Sequence, residues 1–146
     1  MYSEKRKIST TTNGKPHELG FENSAAPSPI DPTTGQHKAY WILPAEERIK
    51  GFVRPVRDRY VHLLCGGITL IMGKDIAETY ARDPKYYGST MCVHCRKHYP
   101  LRDGNGIPMF LWEPDGEPVG STEEEAKQYL MEQVAREAKK HLGDGI

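Results

Sequence analysis

The chain has 146 residues, with 20 Lys/Arg against 20 Asp/Glu, 37% hydrophobic residues and a mean hydropathy of −0.68. That length suits one modest domain plus tails, and no stretch approaches the ~20 apolar residues that a membrane span needs. The first residues are charged or Ser/Thr rather than an apolar signal core, which points to synthesis in the cytoplasm. The neutral total hides a polarity: residues 37–102 carry 12 Lys/Arg against 6 Asp/Glu, and residues 103–146 carry 4 against 10. A basic middle beside an acidic end is expected to pair within the chain or with a neighbouring subunit, since a dedicated nucleic-acid module carries a larger net excess.

Residues 1–36 read as an extended arm. The run from Ser9 to Gly14 is polar, Pro27, Pro29 and Pro32 break the rest, and neither part has helical or strand periodicity. Its apolar surface is too small to offset an ordering entropy of ~1–2 kcal/mol per residue, so order is expected only against a partner surface. Residues 38–43 predict a first strand ended by Pro44, and residues 45–50 one helical turn. Residues 59–65 and 68–72 predict a hairpin turning through Gly66-Gly67. Residues 74–82 predict a short helix burying Ile76, Ala77, Tyr80 and Ala81, stopped by Asp83-Pro84.

Further on, the Asn105-Gly106 and Asp115-Gly116 pairs supply the positive φ of tight turns. They predict a meander of strands over 99–102, 107–112 and 117–120. Residues 121–142 give the clearest helix. Ser121 or Thr122 caps it, Glu123, Glu124 and Glu125 fill its first turn, and Lys139, Lys140 and His141 its last. Ala126, Leu130, Val134, Ala138 and Leu142 form an apolar stripe with Tyr129 alongside, suited to packing on its own domain or on a neighbouring subunit. The expected fold is therefore α+β: a small antiparallel β meander with a short helix (core, 37–120), a C-terminal amphipathic helix (121–146) and the preceding arm (1–36).

Chemistry concentrates in His62-x-x-Cys65 and Cys92-x-x-Cys95-x-x-His98. Each two-residue spacing puts two donor atoms on one tight turn, and two such turns brought together make a tetrahedral zinc site. With three cysteines in the chain, the fourth ligand must be a histidine. His62 repeats the spacing of Cys92 to Cys95 and is the expected ligand, with His98 as the alternative. His94, inside the second turn, is expected to face solvent. Gly66 and Gly67 let the chain turn sharply and free amide hydrogens to point at sulfur. A thioredoxin-like redox motif would sit at a strand-to-helix step of a βαβ unit, a pattern absent around Cys92. A disulfide would leave one cysteine odd. Zinc would matter to such a small core, because structural sites contribute ~10–16 kcal/mol of apparent binding free energy.

The segment Gly51-Phe52-Val53-Arg54-Pro55-Val56-Arg57-Asp58-Arg59-Tyr60, followed by the His62/Cys65 turn, by residues 76–88 and by the Cys92/Cys95/His98 cluster, resembles a group of uncharacterised small proteins encoded by tailed bacteriophages and prophages. The resemblance spans residues 37–121. It implies a virion or assembly role: a non-enzymatic structural or accessory protein, capsid-associated or head–tail, made in the bacterial host cytoplasm. It would attach to other virion proteins through the arm and the C-terminal helix, with no membrane partner. The alternative is a nucleic-acid-binding zinc module, a phage-encoded regulator or packaging factor, in which Arg54, Arg57, Arg59, Arg96, Lys97 and Arg102 track phosphates. No catalytic residue is expected. The His-x-Glu and Pro-Cys-x-x-Cys signature of a zinc deaminase is missing, as are P-loop, Gly-x-Ser-x-Gly and His-Glu-x-x-His motifs.

Overall fold

The computed structural model describes residues 9–21 and 24–144, and side chains as far as residue 141. In chain order the elements are β1 (Thr10–Thr11), β2 (Trp41–Ile42), α1 (Ala45–Arg48), β3 (Arg59–His62), β4 (Ile68–Leu70), α2 (Lys74–Arg82), β5 (Ser89–Cys92), β6 (Lys97–Pro100), β7 (Phe110–Trp112) and α3 (Glu123–Asp144). The fold is mixed α+β with small antiparallel sheets and a C-terminal helix. The strands form three sheets: β1-β2, β4-β3-β7 and β5-β6.

The central sheet pairs Tyr60 with Thr69 on one side and with Trp112 on the other. Alternation along β3 sends Tyr60 and His62 inward and leaves Arg59 exposed. These inward residues meet Phe110, Trp112, Tyr80, Cys92, Leu101 and Val119 in the core. Tyr60 stands edge-on to both Phe110 and Trp112, at 5.3 and 5.9 Å. Helix α2 closes one side through Ala77, Tyr80 and Ala81 of the expected face, with Ile76 half-buried, and through Thr79. Thr79 is fully buried because its hydroxyl accepts the Leu43 amide hydrogen (3.2 Å) and donates to the Asp75 carbonyl (2.8 Å).

The meander expected after residue 99 is less regular. β6 pairs with β5, β7 returns to β3, and the segments between touch through the isolated bridges Arg102↔Pro108 and Leu111↔Pro118. Both turns form where Gly106 and Gly116 take positive φ, at 78° and 74°. Thr122 is the helix cap: its hydroxyl accepts the Glu125 amide hydrogen while the Glu125 carboxylate accepts that of Thr122, a reciprocal capping box.

The basic middle and the acidic end pair within the chain. Arg57 reaches Asp115 and Glu117, each at 2.9 Å, and lies 4.8 Å over the Trp112 ring. Arg54 bonds Glu117 and approaches Glu123 at 3.5 Å, and Lys85 meets Glu125 at 2.6 Å. Burial of Glu117 opposes its ionisation, but the hydrogen bonds and charges of the two arginines outweigh it and hold the carboxyl below its usual range.

The arm differs from expectation. Residues 1–8 and 22–23 lie outside the described residues; residues 13–20 are exposed, while other parts of the arm lie against the same chain. β1 pairs with β2, the Trp41 indole donates to the Ser24 carbonyl (3.1 Å), and the Ser28 hydroxyl accepts the Ala39 amide hydrogen (2.8 Å). Ala26, Pro27 and Ser28 are buried. Trp41 and Tyr86 of the core meet it, at the Ser24 carbonyl and the Ser9 hydroxyl.

Candidate metal centre

Two hairpin tips build the site. β3 ends at His62, and the turn of Leu63 and Leu64 brings back Cys65. β5 ends at Cys92, and the turn of Val93 and His94 brings back Cys95. Each turn closes by the same bond: the Gly66 amide donates to the His62 carbonyl (2.7 Å) and the Arg96 amide to the Cys92 carbonyl (2.8 Å). Each closing residue is left-handed, Gly66 at φ 74° and Arg96 at φ 59°. Arg96 is the one non-glycine with positive φ among the described residues, so the second turn adopts, at some strain, the shape that glycine gives the first.

The four donor atoms of His62, Cys65, Cys92 and Cys95 all lie within 4.8 Å of one another. Cys65 Sγ is 3.6 Å from Cys92 Sγ, and Cys95 Sγ is 3.7 Å from His62 Nδ1. A tetrahedral ion with ~2.3 Å sulfur legs needs sulfur–sulfur edges of about 3.8 Å, so these spacings fit a single shared ion. Amides already point at the sulfurs: Gly67 donates to Cys65 Sγ (3.3 Å) and Cys95 to Cys92 Sγ (3.4 Å).

The protonation environment suits a cation. Burial lowers the His62 pKa and keeps the imidazole neutral, as a metal ligand must be. The Gly67 amide lowers Cys65, whereas desolvation pushes Cys92 up to about 11. A fully buried thiol is costly to ionise unless a positive charge stands beside it, and the other three donors place that position next to Cys92. A hydrogen bond to Cys95 raises Tyr99 to about 12.

His62 is held as a ligand should be. It is fully buried, stacked on Phe110 (4.6 Å, 17°) and packed against Tyr99 (4.4 Å). Its Nδ1 faces Cys95, and its Nε2 is buried without a hydrogen-bond partner. The ring is thus oriented by aromatic packing rather than by the outer hydrogen bond usual for ligating histidines.

His98 stands elsewhere. Side chains alternate along β6, so Tyr99 turns toward His62 and His98 toward His37 and Tyr40. There its Nε2 meets the Tyr40 hydroxyl at 2.9 Å and its ring lies 4.8 Å from that of His37. Desolvation, then the charge of His37, lower its pKa to about 4. His94 is exposed, as expected, but it also bridges the two turns. Its Nε2 lies 3.2 Å from the Ile68 carbonyl, and a Cβ on Gly67 would fall 2.2 Å from its ring. Sequence reasoning assigned Gly67 to turning and to an amide aimed at sulfur, and missed this packing role. It also missed Tyr99, Phe110 and Gly35; a Cβ on Gly35 would lie 2.1 Å from the Arg96 carbonyl oxygen, so the arm abuts the second turn. The Cys/His spacing carries no signal for such contacts, which join residues distant in the chain.

The geometry therefore unites His62, Cys65, Cys92 and Cys95 into one group able to hold a metal ion, and leaves His98 outside it. Comparison with family models, with curated proteins and with solved structures gives no match for this chain.

Proposed function

We propose that this chain is a zinc-stapled, non-enzymatic structural protein and, following the resemblance of residues 37–121, an accessory component of a tailed-phage particle, capsid-associated or head–tail. The observation that carries the structural reading is the donor set itself: three sulfurs and one imidazole nitrogen within 4.8 Å, on two turns of matching shape. Thiolate-rich tetrahedral sites select zinc among the divalent ions of a reducing cell. Four protein donors complete a tetrahedron and leave no position for a substrate or an activated water, which favours a structural over a catalytic ion.

The nucleic-acid reading loses support because Arg54 and Arg57, two of its six cations, are buried and paired with acidic groups. Metal analysis of reduced protein tests the first part: one zinc per chain is expected, with Zn–S distances of ~2.3 Å by X-ray absorption. Protein that folds fully with no metal would overturn it. For the second part, the chain should co-sediment with purified particles and should not bind DNA in a salt-dependent way. Binding that falls steeply with salt, together with absence from particles, would transfer the reading to a nucleic-acid module.

A further inference from the structure

Helix α3 is 22 residues long, yet among its described side chains only Ala126 is buried, with Tyr129, Leu130 and Gln133 half-buried. Its outer turns stand away from the body, and Met131 and Val134 are 68% and 69% exposed. Most of a helix's stability in a protein comes from packing an apolar face. At ~100° per residue, Leu130, Met131, Val134 and Ala138 share one flank, beside the face that Ala126 buries. Lys127 and Glu137 lie on or beside the same flank.

We infer that this flank is the contact with a second copy of the chain, the two helices running antiparallel about a two-fold axis level with residue 132. The order of charges along the helix carries the argument. In that register each residue faces the one equally far beyond position 132. Lys127 faces the partner's Glu137, and Leu130 faces the partner's Val134. Two-fold symmetry makes each contact twice. A parallel pair would set Lys127 on Lys127 and Glu137 on Glu137, and would align the helix dipoles unfavourably. The seam is about 15 residues, or ~22 Å, long. Its area falls below the ~1,200–2,000 Å² of a standard interface, so the dimer is reversible and concentration-dependent. This pairing does not depend on the metal, and zinc content is measured alongside.

Sedimentation velocity of the full, zinc-loaded chain across a dilution series should show a monomer–dimer equilibrium. Val134→Glu should be monomeric while keeping parental zinc content and tryptophan fluorescence, since Val134 is exposed. Lys127→Glu and Glu137→Lys should each weaken dimerisation about tenfold. An equimolar mixture of the two variants should recover it, because the mixed pair sets each new charge against its opposite. Monomer at every concentration overturns the pairing. So does a dimer that survives Val134→Glu, a mixture that fails to recover, or a monomer that uses this flank to bind a different protein.

Discussion

At Gly67 the two turns of the candidate metal site meet, and that contact is tight enough to test alone. The Cβ of Gly67→Ala would sit 2.2 Å from the His94 ring, so one turn must move off the other. Overpacking of this kind costs about 1–3 kcal/mol. The double variant Gly67→Ala/His94→Ala should regain much of that loss in denaturant unfolding. Simple additivity of the two single effects would show that the ring is free to swing aside. The histidines separate equally clearly. His62→Ala should lose zinc affinity by more than the ~10–100-fold of an outer-sphere change, whereas His98→Ala should keep parental affinity in a competition titration with a chromogenic chelator. The reverse ranking would restore His98 as the ligand. His98 should show itself through pH instead. Its folded pKa, about 4, lies below its ordinary 6.5, so the unfolded chain binds the proton more readily between those values. Its stabilisation is complete above pH 6.5 and is lost as pH falls toward 4. The stability difference between the parent and His98→Gln should shrink over that window; a pH-independent difference would refute the assignment.

Among the elements, the arm and the C-terminal helix exchange the roles their compositions suggest. The polar, proline-broken arm is packed down in part, with Ala26, Pro27 and Ser28 buried. The amphipathic helix stands largely free. Deleting residues 1–36 should therefore destabilise the core by a few kcal/mol (about 1.5–3 kcal/mol per large apolar side chain uncovered) and red-shift tryptophan emission as Trp41 meets water. An unchanged unfolding midpoint would show that the arm merely lies against the core. Ending the chain at residue 128 should leave the zinc core folded and remove only self-association. Thr122→Ala, which breaks the reciprocal cap, should cost about 0.5–2 kcal/mol of helix stability.

For the molecule as a whole, the candidate metal site and the aromatic core are one structure. His62 and Cys92 are fully buried and pack into the cluster of Tyr60, Phe110 and Trp112, so loss of the ion would leave ionisable groups inside an apolar core. Chelation should lower the unfolding midpoint sharply and raise amide exchange first over residues 60–98, with re-addition of zinc restoring both. A chelator-indifferent midpoint would mean that aromatic packing alone holds the two turns. Acid should add a separate loss. Glu117 is held below its ordinary 4.5 by the balance of Arg54 and Arg57 against burial. Its contribution is present above that value and fades as pH falls through the lower folded one.

Spacing carried the candidate metal site because the chemistry of a tight turn is local. Two donors three residues apart share one turn wherever that turn lies, so His62/Cys65 and Cys92/Cys95 were legible before any fold was known. The helices were legible for the same cause: caps, dipole charges and 3.6-residue periodicity act within a few residues. The rival histidine was harder to exclude, because His98 is as near Cys95 in sequence as Cys95 is to Cys92. Only the pairing of β6 with β5 turns His98 to the opposite face from Tyr99 and the ion site. The return of β7 to β3, the packing of Gly67 under His94 and of Gly35 against Arg96, and the burial of Arg54 and Arg57 against Glu117 likewise join distant residues. A linear pattern encodes such contacts weakly, since their free energy comes from surfaces that exist only after the chain has closed on itself.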